Sequence, residues 1–322
     1  LCNPVNHTQV IEAYYPTMQV KTKAYIAFAA TSILWGSTWV MSKVGVKGLP
    51  GLQLSAIRQF IAGSLIVAFF LLRKQPMPSA KQVLQLTGVG FFTFFLSNGL
   101  STWSVAYISS GLAALIAALY PLFVVLLELF ITKKNKPNAL TFLGLFLGIS
   151  GIVLVFYEDA SHHHAGNYVT GILLCLMATI GWSIGTVLLS KNVVKVQPQF
   201  GLGWQMLTAS VLIGLLSLLT GQHIPLQQIP LFSWLALVYL IAVGSIIAYI
   251  AFLYTMKHLT PSVAALYAYI NPIVALLIGA VALSEKLTVL NMVGSIITLV
   301  GVYLVNKSVR FKKTIIADAD GM

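Results

Sequence analysis

Two stretches of the chain set neutral polar side chains at helical spacing beside tryptophan. Thr31, Trp35, Thr38 and Ser42 follow one another at intervals of four, three and four residues, and Thr179, Ser183, Thr186 and Ser190 repeat that spacing. On an α-helix such positions share one face. Hydroxyls, together with Trp35 and Trp182, supply hydrogen bonds and stacking surface, which is the chemistry of reversible small-molecule recognition. The same hydroxyls could bond across helices as packing glue, but the two tryptophans add more aromatic surface than packing requires. The first reading makes Thr31, Trp35, Thr38, Trp182 and Thr186 candidate substrate contacts.

A second pair of positions carries the same chemistry. Tyr120-Pro121 and Asn271-Pro272 each put a polar side chain directly before a proline inside an apolar run. Proline has no N–H, so a carbonyl one turn earlier loses its partner, and in lipid that is tolerable only where protein or cavity water satisfies it. Pro121 and Pro272 are therefore expected to be helix hinges, or else static kinks, with Tyr120, Asn271 and Tyr267 beside them in a substrate cavity. Asn98, Trp103, Ser245 and Tyr249 are candidates for the same lining. Neither cysteine, Cys2 or Cys175, has metal or redox spacing. His162, His163 and His164 lack companion ligands and read as a solvated loop. No metal and no cofactor are expected.

These residues must be positioned by helices that lipid, not water, surrounds. Of 322 residues 58% are hydrophobic and only 8% charged, against roughly 25% in soluble domains. The apolar residues come in runs near the ~20 residues needed to cross a bilayer as a helix. Breaks at charges, Pro and Gly predict ten spans, at about 24–43, 52–72, 83–102, 109–131, 138–157, 169–190, 200–220, 231–253, 260–283 and 288–306. The third and fourth are separated only by the polar turn at Ser109, Ser110 and Gly111. The fold class expected is an all-α integral membrane protein with the lipid bilayer as its solvent.

The net charge of +12 raises the question of nucleic acid. The placement of the charges answers it otherwise. Of the 19 Lys and Arg, only Lys47 and Lys286 fall in the loops of one side, and Lys43 and Arg58 lie within spans. The remainder, from Lys21 to Lys313, fall on the other side, so both termini are expected in the cytoplasm of a multi-pass cell (inner) membrane protein with no nucleic-acid partner. Residues 1–23 form an N-terminal tail in which Met18 is the expected natural start, and residues 307–322 form a C-terminal tail.

The chain repeats itself. TSILWGSTWVMSK at residues 31–43 matches TIGWSIGTVLLSK at 179–191 at Thr, Thr, Ser and Lys, and GLAALIAALYP at 111–121 lies over SVAALYAYINP at 262–272 without a gap. Gly144 and Gly151 recur as Gly294 and Gly301. Residues 24–157 and 168–306 thus read as two units of five spans. An odd number of spans forces the second unit to enter from the opposite side, giving inverted repeats of the kind found in alternating-access carriers. The glycine stripes serve helix packing, and leave a homodimer open.

These residues resemble the drug/metabolite transporter superfamily, in its EamA-domain branch of two five-helix units. The likeness runs from Ala24 to Asn306 and rests on LWGSTWVMSK in the first span, Arg58 in the second, the small-residue runs before Pro121 and Pro272, and SEKLT at residues 284–288. One departure is TKKNK at residues 132–136, where the family carries an acid. The resemblance implies secondary transport, often export, without ATP hydrolysis. It also makes Glu285 the preferred ion-pair or gating partner of Arg58, whose charge about two turns inside its span needs compensation or must snorkel to the headgroups. Lys43 is expected to snorkel, and Glu128 to sit at the interface beside Lys133 or Lys134.

A cavity without an intramembrane acid disfavours exchange of protons for organic cations, and a single buried base disfavours bulky phosphorylated substrates. Small neutral or zwitterionic metabolites, amino acids among them, are the expected small-molecule partners. A membrane-embedded enzyme would need a nucleophile or a His/Asp/Glu cluster at one face, and a scaffold would not need the repeat.

Overall fold

The computed structural model describes residues 18–132, 138–162, 165–190, 194–259 and 266–319. Residues 1–17 and 133–137, and the side chains of Glu128, His162, His163, His164 and Ser190, lie outside what is described. Ten helices follow one another: α1 (Met18–Gly45), α2 (Gly51–Leu72), α3 (Ala80–Ser104), α4 (Ser110–Ala117 and Tyr120–Thr132), α5 (Ala139–His162), α6 (Ala165–Ser190), α7 (Pro198–Leu219), α8 (Leu231–His258), α9 (Tyr267–Leu283) and α10 (Val289–Ala319). Seven are long and apolar enough to span a bilayer, while α5, α9 and α10 have shorter apolar stretches, Ala139–Val155, Tyr267–Leu283 and Val289–Val305. Side chains such as Phe60, Phe69, Phe146, Leu215 and Val281 point outward uncovered. In water that surface would be an aggregation liability, whereas in hydrocarbon it costs nothing.

Local chemistry sets the helix ends. Ser79 accepts from the Gln82 N–H while Gln82 Oε1 accepts from the Ser79 N–H, a reciprocal cap on α3. Ser109 caps α4 by accepting from the Leu112 N–H at 3.2 Å, which puts a turn where the polar run 109–111 predicts one. Pro50 and Pro230 precede α2 and α8, and Pro198 opens α7, positions at which a missing N–H is harmless. Ser284 ends α9 in the left-handed region at φ 54°.

The helices pair in a pattern. The helices α2 and α7 lie against one another, as do α5 and α10, and α1 packs on α8 and α9 as α6 packs on α3 and α4. Glycine makes the closest of these approaches. A Cβ on Gly301 would sit 2.3 Å from the Gly148 nitrogen, and one on Gly144 would sit 2.6 Å from the Gly301 carbonyl. Both glycine stripes are therefore engaged between α5 and α10 of a single chain. Between α2 and α7, Gly63 meets the Gly203 carbonyl in the same way, at 2.9 Å.

Two helices depart from α geometry at their centres. The segments Phe91–Gly99 of α3 and Leu240–Ile247 of α8 are π-helical, a wide turn that leaves backbone groups loosely paired and is often found at functional sites.

Candidate functional site: a central cavity lined by both halves

A cavity of ≈ 160 Å³ lies at the middle of the bundle, lined by α1, α2, α3, α4, α6, α7, α8 and α9. At one end it meets a layer of aromatic rings. The Trp35 ring lies 5.6 Å from Tyr249, 5.0 Å from Phe252 and 5.2 Å from Tyr267, and Tyr267 stacks on Tyr120 at 6.2 Å. These edge-on and offset contacts are the favoured arrangements of aromatic quadrupoles. Trp35 is fixed further by its Nε1, which donates to the Gly244 carbonyl at 3.1 Å in the π segment of α8. From the layer the cavity extends past Thr38 and Ser42 on α1, about 10 Å at the helical rise, to Ser101 and Thr102 near the end of α3.

The two prolines act at corresponding places. Pro121 has no N–H for the Ala117 carbonyl, and α4 is broken there into two segments. Pro272 lies within α9 and cannot bond the Ala268 carbonyl. Ala117 and Ala268 both line the cavity, and they are matched positions of the two repeated motifs. The neighbouring carbonyl of Tyr120 is satisfied by Ser183 Oγ of α6 at 3.1 Å. The Asn271 amide, oriented to satisfy its neighbours, donates to the Ser32 carbonyl at 2.7 Å and the Tyr267 carbonyl at 3.3 Å. Asn271 thus ties α9 to α1, just as Ser183 ties α6 to α4.

Of the expected contacts, Trp35, Thr38, Asn98, Tyr120, Trp182, Tyr249, Tyr267 and Asn271 are brought together around this cavity. Thr31, Trp103 and Thr186 are not. Thr31 is buried and its hydroxyl bonds back to the Ala27 carbonyl at 2.8 Å. Thr186 bonds back in the same way to the Trp182 carbonyl. Trp103 turns its Nε1 to the Tyr107 hydroxyl at 3.2 Å, where its backbone meets α2 at Gly51. A shared helical face is wider than the part of it a cavity touches, so spacing alone could not separate these from their neighbours. Lining that spacing did not single out includes Ser97, Gly244 and Met206. The first two belong to π segments, whose extra residue per turn defeats a 3.6-residue pattern.

The charged residues differ most from expectation. Arg58 and Glu285 are not paired here. Arg58 is buried, lines the cavity, and donates from Nε to Ser245 Oγ at 2.9 Å. Its guanidinium lies against Gly244, where a Cβ would stand 3.0 Å from Nη2. Glu285 instead caps α4: its carboxylate accepts from the Ser110 N–H and Ser110 hydroxyl, each at 2.8 Å, and from the Gly111 N–H at 3.3 Å. Negative charge at a helix N-terminus is favoured by the orphan donors and the dipole. Lys43 does not snorkel either. Its Nζ donates to the Val105 and Ile108 carbonyls at 2.7 and 2.8 Å, at the other end of the same turn. Among the described residues no cluster of His, Cys, Asp and Glu could hold a metal ion.

A bundle of apolar-surfaced helices around a central cavity of polar and aromatic side chains with one arginine defines a polytopic membrane protein of the transporter class. The chain belongs to the EamA-like transporter family, whose model matches residues 22–157 and 169–307. It is 34% identical over 256 residues to the "Uncharacterized inner membrane transporter YedA" of Escherichia coli K12, covering 79% of this chain and 80% of that one. An "Uncharacterized transporter" of Archaeoglobus fulgidus is 25% identical over 286 residues, covering 88% and 98%. A crystal structure superposes with a TM-score of 0.60 at 20% identity, covering 88% of this chain and 96% of the other. That likeness concerns the fold.

Proposed function

We propose that this protein is a secondary transporter that exports small neutral or zwitterionic metabolites, amino acids among them, by alternating access at the central cavity. The observation that carries the reading is the cavity itself, to which both halves contribute the matched residue four before a proline, Ala117 and Ala268. Proline denies the carbonyls of those two residues their usual helical N–H partner, which a membrane interior tolerates where protein or cavity water takes its place, and here they belong to the wall of a cavity with aromatic surface. The pairing of helices supports an inverted repeat. Exchanging α1–α5 for α6–α10 turns the α1 contacts with α8 and α9 into the α6 contacts with α3 and α4, and maps the α2–α7 and α5–α10 pairs onto themselves. Two related halves around one site give two packings of similar energy, open to opposite sides. The name of the E. coli relative supports placement in an inner membrane, with both termini cytoplasmic by the distribution of basic residues. Transport of this kind needs neither a nucleophile nor a bound cofactor.

The test is counterflow in vesicles holding purified protein. Preloading with unlabelled phenylalanine should accelerate uptake of a labelled amino-acid mixture several-fold over empty vesicles. Equal uptake with and without protein, across amino acids and other small neutral metabolites, would refute the proposal.

A further inference from the structure

We infer that the molecule bound in the central cavity carries a carboxylate, held by the guanidinium of Arg58. The inference rests on reading this cavity as the transport site and adds the charge of its occupant. Among the described residues that line the cavity, Arg58 alone carries a formal charge. It is 8% exposed, and leaving a charge that deep without a counter-charge is costly. Of its five N–H donors, Nε is engaged by Ser245. Ser245 is a neutral acceptor that orients the group without neutralising it.

Among the described side chains no acid answers that charge. Glu285 is spent on Ser110 and Gly111. Glu128, Glu158 and Asp159 belong to α4 and α5, whereas α2 packs on α3, α7 and α8. Glu12, Asp318 and Asp320 fall near the chain ends. The absence of a side chain at Gly244 leaves room for the guanidinium beside α8, where a Cβ would stand 3.0 Å from Nη2, and Arg58 lines the cavity there. A planar fork of this kind matches the two oxygens of a carboxylate. Gly244 also accepts the Trp35 indole N–H, so cation and aromatic surface share one anchor. A carboxylate on Arg58 therefore places the rest of a small molecule toward Trp35 and Tyr249. A cation without a carboxylate meets an unneutralised positive charge instead.

A series on one carbon skeleton tests this, with binding to purified protein read as the ligand-dependent rise in melting temperature. Phenylalanine and 3-phenylpropionate should both stabilise the protein, and phenylalaninamide and 2-phenylethylamine should bind at least tenfold more weakly. Comparison within the first pair shows whether an ammonium group is also recognised. Arg58→Gln should weaken the two carboxylates at least tenfold, and Arg58→Lys should recover part of the loss. The wild-type series decides the matter even if Arg58→Gln does not fold. The inference is overturned if the amide and amine bind as tightly as the carboxylates, if neither carboxylate binds, or if a folded Arg58→Gln binds them unchanged. Carboxylate binding without movement in vesicles would keep the inference and remove the transport reading. Movement indifferent to both the carboxylate and Arg58 would do the reverse.

Discussion

Trp35 joins α1 to α8 through one hydrogen bond and two ring contacts and to α9 through a third ring, that of Tyr267, so its substitutions separate two roles. Trp35→Phe keeps ring surface and loses the bond to Gly244, at about 1 kcal/mol for a neutral hydrogen bond. Trp35→Ala removes the ring as well and should cost roughly 3 kcal/mol or more. Thermal melts should rank wild type, Phe and Ala in that order, with transport per folded molecule retained in Phe and lost in Ala. Phe69, half-exposed on the outer surface, should tolerate Ala with little change in either measurement. Equal melting of Trp35→Ala and wild type would mean that the aromatic layer does not hold α1 to α8. For Arg58 and Glu285, separate partners in this conformation predict that Arg58→Glu and Glu285→Arg add when combined. Rescue by the double exchange would reveal a second conformation in which the two charges meet.

The turn between α3 and α4 is held at both ends by opposite charges from elsewhere in the chain. Lys43 of α1 binds the carbonyl of Val105, which caps the end of α3, and that of Ile108 within the turn, and Glu285, just past α9, binds the donors that open α4. Each charge complements the partial charge of the helix end it meets. Lys43→Met and Glu285→Gln should each lower stability, by about 1–2 kcal/mol for a partly buried charge at a helix terminus. Because both act on one turn, the double variant should lose less than the summed losses. Full additivity in melting experiments would show that the two charges hold the turn independently. Between α5 and α10 the backbones touch, so Gly301→Leu leaves no space for its side chain. It should abolish folded protein in the membrane, whereas Leu at Gly214, which has open space around it, should not.

The ten helices and the distribution of basic residues together predict that both termini lie on the cytoplasmic side. Reporters fused after Lys134 and after Lys312 should be cytoplasmic, and one after His163 external. An external reporter at Lys312 would contradict both the even number of crossings and the inverted relation of the halves. The same arrangement explains why one cavity has matched contributions from distant segments. Ala117 and Ala268 are 151 positions apart in the chain, yet they line one space because the two motifs around them occupy corresponding helices.

Much of this was legible before any coordinates. Runs of apolar residues near the length of a bilayer crossing mark helices, since backbone groups in lipid must bond within their own segment. The repeat and its prolines announce a site shared between halves, because matched motifs occupy corresponding positions whatever the packing around them. Trp35, Thr38, Tyr120, Trp182, Tyr267 and Asn271 in the cavity lining followed from the polar faces and the prolines, whereas Ser97, Met206 and Gly244 did not. The partners of the charged residues did not. Arg58, Glu285 and Lys43 found serine, amides and carbonyls from other helices, and a one-dimensional pattern does not say which helix end a side chain will meet. The π segments were equally silent, since nothing in their composition sets Phe91–Gly99 or Leu240–Ile247 apart from ordinary apolar helix. Helical periodicity and hydrophobic length are local properties that the chain carries in itself. The answer to a buried charge depends on which atoms lie within about 3 Å of it, and only tertiary packing decides that.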